Sequence, residues 1–382
     1  MLFQQVIGHQ NLKKRLIENV KSGKVSHSQL FLGESGAGSL AIALAYTQYL
    51  FCQNKQDNDS CGECNACLKV QKLVHPDLHF VYPVNTTKKI TEKPISKDFI
   101  ADWREFLLAS PYANLQVWLE KIGIENKQGI IATRESSEII SELNKTAYEA
   151  GYKVMLIWCP EKLNNEAANK LLKIIEEPPK KTIFLLVSND LEKILGTIVS
   201  RTQIIKVPLL SDDDIEKYLI QKHNLTEESA HKISLLSEGS VFVADELTSG
   251  KEESDYSLHF QSWMRYAFVA DVPELIKWTE ETASMGKEQQ KNLLTFGLSV
   301  FRESLMNQYA SEEIQRFSGK DKQFIHKFSP FVNGANAADL MQLFNDSIYH
   351  LERNVNSKIL FLDISFKIAK LLRVKNVTLQ ES

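Results

Sequence analysis

The most constraining feature of this chain is a strand, glycine-loop, helix signature near its start. The apolar run Gln29-Leu30-Phe31-Leu32 stops at Gly33-Glu34-Ser35-Gly36-Ala37-Gly38, and a second apolar stretch runs from Leu40 to Phe51. A short buried strand that feeds a glycine-rich turn and then a helix is the order of a phosphate-binding loop. Two more continuous apolar runs, Val154 to Trp158 and Thr182 to Val187, are short and bounded by polar or turn residues. They read as strands covered on both faces. Between them Ala168, Leu171, Leu172 and Ile175 share one helical face, and Pro178-Pro179 ends that helix. Alternation of strands and helices predicts an α/β fold with a mainly parallel sheet.

The chain of 382 residues is long enough for two or three domains. A helix is expected over about 9–22 and a last strand over Ile204 to Val207. Ser211-Asp212-Asp213-Asp214 then opens a helix, with a serine cap and acids at its positive end. Residues 211–247 read as helical with a stop at Gly239. Gly250 to Asp255 reads as a polar linker, and 256–375 shows only helical periodicity. The expected division is an α/β domain over 1–208, a small helical lid over 209–250 and a helical domain over 256–375. Residues 83–128 form an insertion whose Trp103, Phe106 and Trp118 would pack. Its basic stretch Thr86-Thr87-Lys88-Lys89 leaves single-strand binding as the lesser reading.

The glycine loop keeps the spacing of its template and lacks the chemistry. In G-x-x-x-x-G-K-[ST] the lysine neutralises phosphate charge and the hydroxyl holds Mg²⁺. Gly33 and Gly38 hold the glycine positions, with Gly36 between them, but Ser39 stands for the lysine and Leu40 for the hydroxyl residue. The partner strand should end in a metal-holding carboxylate. Trp158 occupies that place, and Glu161 comes three residues later. ATP binding and self-hydrolysis are therefore not expected. Phosphate held by the loop amides alone stays open beside the plainer reading of a tight turn kept for its shape.

Four of the five cysteines, Cys52, Cys61, Cys64 and Cys67, form a C-x8-C-x2-C-x2-C pattern. Four soft thiolates make a closed structural Zn²⁺ site, with an iron–sulfur cluster as the rival. Cys159 reads as a buried small residue, and His75 and His79 as ordinary loop or strand residues. Such clustering is a poor disulfide framework, and no apolar run reaches the roughly 18 residues of a membrane span, so a cytoplasmic protein is expected. Lys and Arg number 45 against 48 Asp and Glu, a net charge of -3. That disfavours a zinc-stabilised protein that binds DNA alone through its charge.

These motifs together resemble the clamp-loader branch of the AAA+ ATPases, and within it the delta-prime family of bacterial DNA polymerase III. The stretch from Asn165 to Pro179 is similar to that family's N-E-A-A-N-A-L-L-K-x-L-E-E-P-P helix almost residue for residue. Val6-Ile7-Gly8-His9 resembles V-[IV]-G-Q, and Thr197-Ile198-Val199-Ser200-Arg201-Thr202 resembles T-[IL]-x-S-R-C. The resemblance implies an AAA+ sheet domain, a lid and an all-α collar through which subunits join in a ring. It implies a catalytically silent subunit that works with gamma/tau-type motor and delta-type subunits to load a sliding clamp on primed DNA. It also implies that Ser200-Arg201 serves a neighbour, the arginine reaching the γ-phosphate of ATP on the motor subunit. Arginines supplied in trans accelerate hydrolysis elsewhere by about 10³ to 10⁵. The alternative is an active motor-type ATPase with a non-standard nucleotide site. Ser188-Asn189, where the family senses γ-phosphate, reads more simply as a polar strand end.

Overall fold

The computed structural model describes residues 1–124, 127–149, 151–249, 253–309, 319–353 and 355–374. The chain divides into two compact units, Met1–Thr248 and Ser249–Ser382.

Among the described residues the first unit is built on five parallel strands: β1 (Ser28–Leu32), β2 (Leu78–Val81), β3 (Lys153–Trp158), β4 (Thr182–Ser188) and β5 (Gln203–Lys206), in the spatial order β2-β3-β4-β1-β5. The central strands β3 and β4 are buried at every position, which is why they read as unbroken apolar runs. Alternate residues serve opposite faces. Ile183, Leu185, Val187, Val154, Leu156 and Trp158 join the layer containing α1 (Gln10–Lys21) and α2 (Ser39–Phe51). Phe184, Leu186, Met155 and Ile157 join the layer of α6 (Thr133–Asn144) and α7 (Asn165–Glu176). All thirteen residues of α2 are buried, so that helix is enclosed by protein on every side. The start of α7 is fixed by Asn164, whose side chain accepts from the Ala167 amide at 2.7 Å.

The sequence pattern does not predict edge strand β2. The insertion that follows it contains α4 (Ile100–Ala109) and α5 (Leu115–Lys121). Its aromatic residues are packed inward: Trp103 and Trp118 are 0% exposed. Trp103 stacks on Tyr82 at 4.1 Å and meets Trp118 edge-on at 5.1 Å. These rings are therefore not offered to bases. The short helix α8 (Gly196–Val199) precedes β5, and α9 (Asp212–His223), α10 (Glu227–Leu236) and α11 (Val241–Ser249) follow it. Ser211 caps α9 by accepting from the Asp214 amide.

Glu135 on α6 lies beneath this insertion, 4% exposed, and accepts from the Ser96 amide at 2.7 Å. Burial, reinforced by the nearby carboxylates Glu138 and Asp98, pushes its pKa up to about 7 against the pull of Ser96. A carboxyl raised in the folded state favours folding while it is protonated. That contribution is whole below about pH 4.5 and is lost as pH rises through about 7. The shift corresponds to a cost on the order of 3 kcal/mol for the ionised form. Glu135→Gln should therefore stabilise the chain in urea unfolding at pH 8 and gain much less at pH 4.5. Equal changes at the two pH values would refute the assignment.

Among the described residues the second unit contains α12 (Glu253–Val269), α13 (Val272–Ser284), α14 (Lys287–Tyr309), α15 (Gly319–Phe328), α16 (Ala337–Glu352) and α17 (Ser357–Leu371). Phe260, Trp263, Phe301, Phe344 and Phe361 centre its core, each 0% exposed. The Trp263 indole donates to Ser365 Oγ at 2.8 Å. The linker expected over 250–255 is shorter than its composition suggests, because Glu253 already begins α12. Acids suit the first turn of a helix, so a polar stretch there does not separate loop from helix. Residues 250–252 lie outside the described residues. Among the described residues no helix is long and apolar enough to cross a membrane.

Candidate functional site

The glycine loop joins the end of β1 to the start of α2. Gly36 and Gly38 adopt φ +81° and +96°, a backbone region that favours glycine. The rest of the unit crowds both. A Cβ on Gly36 would lie 2.0 Å from Ser240 Oγ, and one on Gly38 would lie 3.0 Å from the Tyr112 ring. The loop's carbonyls are also held by protein. Ser240 Oγ donates to Ser35 O at 3.0 Å, Val241 N to Gly36 O at 3.1 Å, and His9 Nε2 to Ala37 O at 2.7 Å. Tyr112 is itself anchored, because its hydroxyl accepts from the Ile7 amide at 2.9 Å. Residues 36–40 are buried as a result. Ser39, at the lysine position, carries a buried hydroxyl that makes no hydrogen bond among the described residues. Gly33, Gly36, Gly38 and Ser39 thus form one tight turn, clamped by residues from the insertion and from the start of α11.

At the C-terminal end of β3, Trp158 is 6% exposed and faces the α2 layer. It packs against Trp103 at 5.2 Å and Phe106 at 5.6 Å. A carboxylate does come near the strand ends by another route. Cys159 takes a left-handed backbone turn, φ 56°, and Glu161 then accepts from Ser188 Oγ at 2.7 Å. Burial holds the Glu161 carboxyl above its usual range, although the Ser188 bond pulls the other way. The polar end of β4 is therefore occupied by an internal partner. The Cys159 thiol is buried and pushed well up by the same desolvation.

Arg201 stands at the other end of the sheet. Parallel β1 and β5 align Gln29 with Gln203 and Leu32 with Lys206. The glycine loop follows β1, whereas Arg201 precedes β5. The two are separated by the length of the strand, about 13 Å at roughly 3.3 Å per residue. Arg201 Nε donates to Glu176 Oε2 at 2.7 Å, and Nη1 to Thr197 O at 3.0 Å. Ser200 is exposed, and its hydroxyl donates to Thr197 O at 3.1 Å.

The four expected cysteines converge. Cys52 caps the C-terminus of α2, and Cys64 and Cys67 lie at the start of α3 (Asn65–Gln71), with Cys61 in the loop between the helices. All four sulfurs lie within 4.8 Å of one another. Cys52 and Cys61 are 3.6 Å apart, and Cys61 and Cys67 are 3.9 Å apart. Metal–sulfur bonds of ~2.3 Å in a tetrahedron put sulfurs ~3.8 Å apart, so the set fits a single ion. In an iron–sulfur cluster the thiolates sit on different irons and spread more widely. Backbone amides of Cys61 and Cys64 point at the sulfurs of Cys52 and Cys61, at 3.3 and 3.4 Å, and support thiolate charge. His75 is not part of the set: it stacks on Phe51 at 4.2 Å and faces Glu149 at 3.3 Å. His79 lies in β2.

A family profile described as "DNA polymerase III, delta subunit" matches residues 8–211, over half of the chain. The chain belongs to the clamp-loader subunit family of DNA polymerase III. Its parallel sheet, glycine loop and following helices form an α/β domain. It is 24% identical over 301 residues to the subunit delta' of Escherichia coli K12, covering 79% of this chain and 76% of that one. The subunit delta' of Bacillus subtilis 168 is 28% identical over 232 residues, 61% of this chain and 56% of that one. A subunit gamma of Buchnera aphidicola is 24% identical over 244 residues, 63% and 55% of the two chains. The chain therefore spans little more than half of the last two relatives.

Within this clamp-loader family chain, three neighbours of the expected site residues have no signal in the motifs themselves. Tyr112 reaches the glycine loop from an insertion, Glu161 reaches Ser188 around a left-handed turn, and Glu176 reaches Arg201 from 25 positions upstream. Only Glu176 had a local cue. It is an acid at the C-terminal end of a helix, where the macrodipole disfavours negative charge.

Proposed function

We propose that this chain is a non-catalytic, delta-prime-like clamp-loader subunit. It helps place a sliding clamp on primed DNA and lends Arg201 to ATP bound by a neighbouring gamma/tau-type motor subunit, in a ring that also holds a delta-type subunit. The observation that carries the reading is the position of Arg201 at the sheet end opposite the chain's own glycine loop. An arginine there cannot serve a nucleotide on its own loop and is free to serve another chain's. The loop lends support, since no lysine or metal-ligating side chain stands at its template positions and protein groups pack on Gly36 and Gly38. In this reading 1–208 is the AAA+-like domain, 209–250 the lid and 256–375 the collar.

Arginine suits the task because it stays charged and offers a planar fork of donors to phosphate oxygens. As the γ-phosphoryl group leaves, charge spreads over its equatorial oxygens, and a cation supplied from across the interface stabilises it. The four cysteines would hold one structural Zn²⁺ and leave no open position for catalysis.

The test is DNA- and clamp-stimulated ATP hydrolysis by the reconstituted complex, with assembly checked in the same samples. Arg201→Ala should leave assembly intact and lower the rate at least about tenfold. An unchanged rate in an intact complex would remove the arginine from the mechanism. The isolated chain should show no saturable ATP binding in equilibrium dialysis. Binding with turnover would favour the active-ATPase alternative instead.

A further inference from the structure

We propose that Glu176 is a positioning residue for Arg201: it holds the guanidinium by its Nε edge and leaves the remaining donors for a phosphate. This rests on the role given to Arg201 above. A guanidinium carries five N–H donors. Here Nε donates to Glu176 Oε2 at 2.7 Å and Nη1 to Thr197 O at 3.0 Å. Nη2 has no hydrogen-bond partner among the described residues. Both anchors belong to helices. Thr197 belongs to the single turn of α8, whose end is closed by bonds from Ser200 N to Gly196 O and Arg201 N to Ile198 O, at 2.9 and 3.1 Å. Glu176 is the last residue of α7, a helix pinned by buried Ala168, Leu171 and Ile175 and stopped by Pro178.

The placement of Glu176 is locally unfavourable. Its carboxylate lies at the negative end of the α7 dipole, and its side chain is 56% exposed, so nothing in the core requires an acid there. The nearby cation offsets that placement. A long arginine side chain, 32% exposed, otherwise samples many rotamers, and fixing one before the neighbour arrives removes an ordering step. The carboxylate also opposes some of the arginine's charge. Positioning and restraint therefore predict opposite signs when Glu176 is removed.

The experiment uses the reconstituted complex and measures kcat and KM for ATP with wild type, Glu176→Ala, Glu176→Gln, Arg201→Ala and the double Glu176→Ala/Arg201→Ala variant. Glu176→Ala should lower kcat about threefold to tenfold with little change in KM. Glu176→Gln should keep most of the rate, because its amide oxygen still accepts from Nε. The double variant should be no slower than Arg201→Ala alone. An unchanged or faster Glu176→Ala, or a further loss in the Arg201→Ala background, overturns the proposal. So does failure of Glu176→Ala to assemble, which would place the carboxylate in the interface itself. If Arg201→Ala has no effect, it is the trans-arginine reading that fails. If Arg201→Ala slows the complex and Glu176→Ala does not, only the positioning role fails.

Discussion

Removing the metal from the cysteine cluster should destabilise the first unit by on the order of 5 kcal/mol. The purified chain should carry one zinc ion, and Cys67→Ser should lower both zinc content and thermal stability. The reasoning is electrostatic and entropic. Without an ion, four sulfurs within 4.8 Å of one another cannot all be thiolates, and the loop from Cys52 to Cys67 loses its closure. Zinc-finger peptides owe ~10–16 kcal/mol to their metal; the loss here should be smaller, because α2 stays buried on all sides without it. The effect should spread to the N-terminus, since Asp59 in this loop accepts from the Phe3 and Gln4 amides at 3.0 and 2.9 Å. Elemental analysis followed by thermal unfolding with and without a chelator provides the check. Unchanged melting after verified removal would sink the structural role. Bound iron with visible thiolate absorption would replace zinc in the account, and substituted cobalt should show tetrahedral bands.

What the sequence disclosed follows from how locally each feature is encoded. The strands β3 and β4 were legible because strands covered on both faces are apolar at nearly every position, and β1 because its apolar Leu30-Phe31-Leu32 stops at a glycine loop. Helix α7 was legible because its buried face repeats at helical spacing and two prolines end it. The cysteine cluster was legible because its four thiols lie within sixteen residues of chain. Edge strand β2 carries only four residues, two of them half-buried around His79, so it shows neither a run nor a clean alternation. The clamp on the glycine loop was invisible, because Tyr112 and Ser240 arrive from segments that only the fold brings together. Arg201 could be singled out by motif, but its bond to Glu176 depends on how α7 and α8 pack. Periodicity reports burial well and reports a single long-range polar contact hardly at all.

The same limit makes the aromatic core of the insertion the sharpest test of how the first unit is held together. Trp103→Ala should cost about 4 kcal/mol, near the middle of the range for a buried large aromatic. Trp103 is 0% exposed. It contacts Tyr82, Phe106, Trp118 and Trp158 with ring centroids between 4.1 and 5.4 Å apart. Its indole N–H makes no hydrogen bond among the described residues, so the ring contributes through packing and carries the penalty of an unpaired donor. Trp103→Phe keeps part of the packing and removes that donor, and it should cost about 1 kcal/mol or less. Because Trp158 belongs to β3, the insertion and the sheet share one core and should lose structure in a single transition. Urea unfolding of both variants, followed by far-UV circular dichroism and tryptophan fluorescence, distinguishes the cases. Equal losses for Ala and Phe would mean that ring packing is not what Trp103 chiefly contributes. An early, separate fluorescence transition would mean that the insertion is an independent subdomain, and that Trp158 fills the strand end without tying the two together.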